Sequence, residues 1–338
     1  MNLATIAERA PLPDGLTLAA IDLLCGQTRR QLTGMGQDEA VFAADMVNYP
    51  IAAHTDAANT QHYELPPEFF ALILGPRRKY SCCLYPDART TLEEAEVLAL
   101  EETCVHADLR DGQTILELGC GWGSLSLHMA ETYPGARIVS VSNSHSQRQF
   151  IEAQAARRGL ANLTVVTADM NDFTPDAVTF DRIVSVEMFE HMSNWRELLA
   201  RARGWLKRDG RLFLHVFTHR SRSYRFRNDG ADWIGTYFFT GGIMPAHDLP
   251  HRFPDLFEVE AEWRWSGENY RRTALDWLDN FDDQQARILP ILRGVYGKDA
   301  ELWRKRWRLF FMATAGLWGH AKGSEWGVGH YRLTPVRP

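Results

Sequence analysis

The run Gln113-Thr114-Ile115-Leu116-Glu117-Leu118-Gly119-Cys120-Gly121-Trp122-Gly123-Ser124 carries a short apolar strand into a glycine-rich turn and then into a helix from Ser124 to about Glu131. Glycine admits backbone conformations closed to other residues and lets a ligand approach the main chain. In an open α/β sheet, ligands sit at the carboxyl ends of the parallel strands, beside such a crossover. The spacing is GxGxG, not the GxGxxG of pyrophosphate-binding turns. Glu117, two residues before the first glycine, suits a cationic ligand better than an anionic one.

Working outward, strands are expected at Arg137–Val141, Leu163–Thr167, Asp181–Val186 and Arg211–Phe217. Helices are expected between them, at about His145–Arg158 and Trp195–Leu206. Strands alternating with helices of this length imply a parallel, doubly wound sheet with right-handed crossovers. Residues 16–110 read as helical, with starts at Asp38 and Pro66 and a capping-box start at Thr91 with Glu94 three residues on. The alternation breaks between about Arg220 and Pro254. A strand at Phe257–Trp263, helices at about Tyr270–Asp282, Asp283–Tyr296 and Asp299–Trp318, and a closing strand at Trp326–Leu333 follow. The expected division is a helical cap segment over residues 1–90 and a Rossmann-like domain over 91–338, with a substrate-cap insertion at about 220–320.

Of 338 residues, 45% are hydrophobic and 24% charged, which suits a globular chain able to bury a sizeable core. A net charge of -6 argues against nucleic acid, whose binding relies on clustered Lys and Arg. Arg220, Arg222, Arg225 and Arg227 form the one basic cluster, read as a solvated loop or as a contact for an anionic substrate. The five cysteines include no CxxC pair, which excludes a zinc framework and leaves no metal expected. No signal peptide and no transmembrane run are expected, and the cytoplasm is the expected compartment. Eight of the eleven tryptophans follow residue 230; most should pack the core, and others are candidates for a pocket wall.

S-adenosylmethionine, which carries an ammonium and a sulfonium, fits such a site, and the acid-glycine loop resembles the signature of class I methyltransferases. More closely, residues 35–334 resemble the cyclopropane-fatty-acyl-phospholipid synthase and coclaurine N-methyltransferase family. The resemblance rests on Tyr63-Glu64-Leu65-Pro66, Tyr80-Ser81-Cys82-Cys83, Thr90–Ala95, the glycine loop, Ser142–Gln147, Glu187-Met188-Phe189-Glu190-His191-Met192, Gly241–Pro245 and Asn269-Tyr270. It implies a Rossmann-like sheet of about seven strands with the last antiparallel. It also implies that S-adenosylmethionine is converted to S-adenosylhomocysteine. For the cofactor it implies Tyr80 and Ser81 closing over it, and Glu117, Gly119, Cys120, Gly121 and Gly123 in the loop. Ser142, Asn143 and Gln147 would follow the second strand, and Ala168, Asp169 and Met170 would lie at the adenine.

Methyl transfer from a sulfonium is an in-line displacement, so the enzyme chiefly positions the nucleophile. An amine must also be neutral to attack, and a carboxylate beside an imidazole suits its deprotonation. Glu187, Glu190 and His191 follow the fourth strand; alternatively, the glutamates cap the next helix. The resemblance to coclaurine-type enzymes casts Glu190 and His191 as the substrate-binding and deprotonating pair. The resemblance to the cyclopropane-forming enzymes casts Cys82, Glu190, His215, Phe217 and Tyr270 as a bicarbonate site, with Phe217 standing where the relatives commonly have isoleucine. The expected acceptor is a small-molecule amine. An unsaturated fatty acyl chain, cyclopropanated or C-methylated with bound bicarbonate, is the alternative, and a cofactor-binding protein without turnover is the remote one. The amino-terminal helices leave a homodimer open.

Overall fold

The computed structural model describes residues 8, 12–34, 38–53, 65–175, 179–230 and 232–337; Tyr63 and Glu64 of the first motif lie outside them. Strand β1 (Thr114–Leu118) pairs in parallel with β2 (Arg137–Ser142) on one side and β4 (Phe180–Val186) on the other. β3 (Leu163–Thr167) extends the sheet beyond β2, and β5 (Leu206–His219) extends it beyond β4, both in parallel. Two short strands, β6 (Tyr224–Arg225) and β7 (Ile243–Met244), form a separate antiparallel ribbon. β8 (Phe257–Ser266) is the far edge of the main sheet, and β9 (Trp326–Pro335) runs antiparallel between β5 and β8. The order is therefore β3-β2-β1-β4-β5-β9-β8, seven strands with the last in sequence reversed, as the sequence implies. The order turns back at β1 and β4, and a doubly wound sheet opens its ligand crevice at such a switch point.

Among the described residues the helices of eight residues or more are, in chain order, α1 (Asp14–Gly34), α2 (Leu92–His106), α3 (Ser124–Thr132), α4 (His145–Arg157), α5 (Trp195–Trp205), α6 (Gly267–Asp283), α7 (Gln285–Tyr296) and α8 (Ala300–Gly319). The capping box at Thr91 forms: its hydroxyl accepts from the Glu94 amide, and the Glu94 carboxylate accepts from the Thr91 amide at 2.8 Å. Such a cap contributes about 1 kcal/mol and fixes where α2 starts. One core cluster lies between the sheet and α5, around Phe189, Trp195, Leu198 and Phe253. A second joins α6, α7 and α8 to the helical turn Pro67–Ile73 through Phe69, Phe70, Trp277, Trp307 and Phe311. Trp277, Trp307 and Trp326 are fully buried there, as expected of a packing role. α1 lies against α8, where Arg308 bridges Asp14 at 2.8 Å and Asp282 at 2.7 Å.

One expectation needs correction. Residues 75–91 are not helical: Gly75-Pro76 and Tyr85-Pro86 interrupt any helix, and Asp87 accepts from the amides of Arg89 and Thr90 to make a turn. The irregular 220–254 stretch contains the β6–β7 ribbon and a short helix at Trp233–Tyr237. The basic cluster is engaged within the chain. Arg225 stacks 3.6 Å from the Tyr49 ring centroid and pairs with Asp45, while Arg227 pairs with Asp229.

Candidate active site

Gly119, Gly121 and Gly123 all have left-handed φ, at +79°, +51° and +78°. The turn is pinned where the amides of Gly119 and Cys120 both donate to the Val141 carbonyl, at 3.0 and 2.9 Å. The three glycines differ in what surrounds them. A Cβ on Gly119 would stand 2.4 Å from Met188 Cγ, and one on Gly123 would stand 2.5 Å from Ile151 Cγ1. A Cβ on Gly121 would meet no atom of the described residues beyond its chain neighbours within 4 Å, and Gly121 lines a cavity. Glu117 lies behind the loop, where its Oε2 accepts from the hydroxyls of Ser126 and Ser140. Burial lifts its carboxyl to about 7, against those two hydrogen bonds. Cys120 is buried beside it, and burial raises its thiol.

Gly119, Gly121, Ser142, Asn143, Gln147, Ala168, Asp169, Met170, Glu187 and His191 all line this cavity. Sequence reasoning missed Ala52, Ala53, Val141, Met188, Met192 and Thr240, which line it too. Ala52 comes from a distant segment and is held by Asn171, whose side chain bonds both its amide and its carbonyl. No local signal marks it. Glu117, Cys120, Gly123, Tyr80 and Ser81 are not among the lining residues. Tyr80 packs between Phe70 and Trp277, with centroids 5.3 and 5.5 Å away, and the Ser81 hydroxyl accepts from Lys79 Nζ at 2.6 Å. The cavity fits S-adenosylmethionine in two respects. Its glycine floor admits a ligand against the backbone. Gln147, whose Oε1 accepts from the Ser142 hydroxyl at 2.6 Å, holds a buried Nε2 with no partner among the described residues. An unmet buried donor is costly, and a ligand acceptor such as a ribose hydroxyl satisfies it.

At the mouth of β4 the chain turns sharply: Glu187 adopts φ +48°, unusual for a residue with a side chain. The turn aims its carboxylate at two donors and a histidine. Oε1 accepts from the Cys82 amide at 2.9 Å and faces His215 Nε2 at 3.3 Å; Oε2 accepts from the Tyr270 hydroxyl at 2.6 Å. Glu190 is fully buried, and its Oε1 accepts from the Phe217 amide at 2.6 Å. Its Oε2 has no partner among the described residues. Burial raises both carboxyls, and the facing Glu187 charge raises Glu190 further. Neither caps the next helix: Asn194 does that for α5, accepting from the Glu197 amide at 3.0 Å. His191 stacks on Phe239 at 4.3 Å, and burial lowers its imidazole to about 4, so it is neutral at physiological pH.

Glu187 and His191 thus reach the cavity, while Cys82, Glu190, His215 and Tyr270 are not among its lining residues. Apart from Glu190 Oε2, the polar groups of the expected bicarbonate site are already bonded. Glu187 takes Cys82, His215 and Tyr270, and Glu190 takes the Phe217 amide. The residues present do not fit a separate bicarbonate ion. A further residue escaped the sequence reading: buried Lys79 donates to the Cys82 carbonyl at 2.6 Å and so shapes the loop whose amide holds Glu187. Its position beside Tyr80-Ser81-Cys82 was the available signal.

Known proteins resemble this chain along most of its length. The family model described as mycolic acid cyclopropane synthetase matches residues 52–317. (S)-coclaurine N-methyltransferase of Thalictrum flavum subsp. glaucum is 36% identical over 83% of this chain and 79% of its own. The cyclopropane-fatty-acyl-phospholipid synthase of Escherichia coli K12 is 33% identical over 65% of this chain and 55% of its own. The crystal structure of coclaurine N-methyltransferase bound to N-methylheliamine and S-adenosylhomocysteine superposes with a TM-score of 0.88 at 32% identity, covering 98% of both chains. With the family model spanning most of the chain and the sheet, loop and crevice in place, the chain belongs to the mycolic acid cyclopropane synthetase family and is an S-adenosylmethionine-dependent methyltransferase.

Proposed function

We propose that the chain N-methylates a small-molecule amine. The observation that carries this reading is the Glu187 carboxylate, which accepts from the Cys82 amide and the Tyr270 hydroxyl, faces His215 Nε2 and lines the cavity. An internal carboxylate held by two donors beside a histidine attracts an ammonium and receives its proton, which makes the amine a nucleophile. His191 presents a neutral imidazole beside it, and Glu190 closes the cluster with an Oε2 that has no partner among the described residues. Gly119, Gly121, Ser142, Asn143, Gln147, Ala168, Asp169 and Met170 would hold S-adenosylmethionine, with Tyr80, Ser81, Glu117, Cys120 and Gly123 supporting them from behind. When bound, that cofactor supplies an electrophilic methyl group on a sulfonium. The chain's own contribution is then to neutralise the amine and hold its lone pair in line. Relatives named as coclaurine, pavine and tetrahydroprotoberberine N-methyltransferases support an alkaloid-like amine.

The alternative, alkene chemistry on an acyl chain, draws on the family description and the bacterial synthase. It lacks an open bicarbonate site in this cluster. Residues 1–90 serve in this proposal as a cap beside the acceptor, in a chain that works in a reducing compartment with all five cysteines free. The test offers methyl-labelled S-adenosylmethionine with two acceptor pools: tetrahydroisoquinolines with simple biogenic amines, and vesicles of monounsaturated phospholipid. Label is expected in the amine pool. Label confined to lipid would overturn the reading.

A further inference from the structure

Behind Glu187 the hydrogen bonds do not stop. His215 uses its second nitrogen, Nδ1, to meet His330 Nε2 at 2.8 Å. His330 Nδ1 meets His106 Nδ1 at 2.7 Å. His106 Nε2 lies 3.4 Å from Glu102 Oε1, one turn earlier on α2. Each of the three rings thus engages both its nitrogens, one toward the cavity side and one away from it. Secondary structure sets the register: His215 and His330 are directly opposed on β5 and β9, and His106 ends the helix packed on that part of the sheet. Side-chain exposure rises outward, from 0% at His215 to 9% at His106 and 41% at Glu102. Aromatic rings wall the path: Trp265 and Phe213 lie 4.3 and 5.2 Å from His330, and Trp263 stacks on His106 at 3.8 Å. The charged groups facing it are Lys79, which acts on His215 and His330, and Arg332, which acts on His106.

We propose that Glu187, His215, His330, His106 and Glu102 form a proton relay that carries the proton released at the methyl acceptor through the sheet to solvent. It rests on the reading that Glu187 receives that proton. Methyl transfer from a sulfonium leaves one proton per turnover, whether the acceptor is an amine or an alkene, so an exit is needed in either case. The hops balance. Glu187 gives its proton to His215 Nε2 as His215 Nδ1–H gives one to His330 Nε2. His330 Nδ1–H then gives one to His106 Nδ1, and His106 Nε2–H gives one to Glu102, which exchanges with water. Each imidazole ends neutral with its N–H on the other nitrogen, and turning the tautomers back resets the chain. Burial holds all three rings neutral, the state this exchange requires. His330 and His106 touch no reacting atom; they act through Glu187.

The test compares the wild type with His330→Phe and His106→Phe, using tetrahydroisoquinoline as acceptor and calorimetric S-adenosylhomocysteine binding as the check on folding. General acid–base steps contribute about a hundredfold or more. The expected result is kcat down at least about tenfold at pH 6.5, with KM and S-adenosylhomocysteine affinity unchanged. The deficit should shrink as pH rises, the solvent deuterium isotope effect should increase, and imidazole should restore His106→Ala. A loss equal at every pH, with no isotope change and no rescue, indicates packing alone and overturns the relay. A second arm needs no acceptor: nitrogen-15 spectra of the imidazoles should show the His215 tautomer changed by His106→Phe, two rings away. An unchanged His215 overturns the relay. If the wild type leaves tetrahydroisoquinoline unmethylated, the amine reading falls while the spectra still decide the relay.

Discussion

The glycine cradle and the carboxylate cluster border the same cavity and are made in opposite ways. The cradle is backbone: left-handed glycines, small residues and strand ends contributed by successive βα turns. The cluster is buried side chains gathered from afar: Glu187 meets Cys82 across 105 residues and Tyr270 across 83. A site of backbone conformation fails when a side chain intrudes. A site of buried charge fails when one partner loses its charge, with the shape intact.

That contrast can be broken by single substitutions. The largest effect is expected from Gly121→Val. A β-branched residue at φ +51° is strained, and its branches would enter the open space at this glycine. Affinity for S-adenosylhomocysteine should fall at least about a hundredfold by calorimetry; retained affinity would remove Gly121 from the cradle. Glu190→Gln should do the reverse, lowering kcat about a hundredfold with cofactor affinity unchanged. Full turnover in that variant would exclude Glu190 from the chemistry.

The smallest effect sharpens the comparison, because the cradle hides one buried carboxyl of its own. Burial raises Glu117 from 4.5 to about 7. A raised carboxyl contributes its stability fully below pH 4.5, where both states are protonated, and loses it as pH rises through about 7. Glu117→Gln cannot titrate, so the fall in stability over this window should become shallower in urea titrations at successive pH values. An unchanged slope would mean that Glu117 does not bind a proton on folding.

The sequence by itself determined the sheet, its strand order of appearance and the glycine loop. It did so because each depends on local signals: apolar runs of strand length, helix caps such as Thr91 with Glu94, and glycines at left-handed turns. It also named Glu187, Glu190, His191, Cys82, His215 and Tyr270 as chemical residues, through motifs rather than through their mutual geometry. Only the tertiary structure decided that Glu187 occupies the groups expected to hold bicarbonate. It alone added Ala52 and Thr240 to the cavity and joined His215 to His330 and His106, whereas the break in helix over 75–91 was legible in Gly75-Pro76 and Tyr85-Pro86. The physical reason is range. Backbone conformation is fixed by neighbours in the chain, whereas the bonding of a buried polar group depends on which distant segments pack against it, and no periodicity in the sequence records that choice.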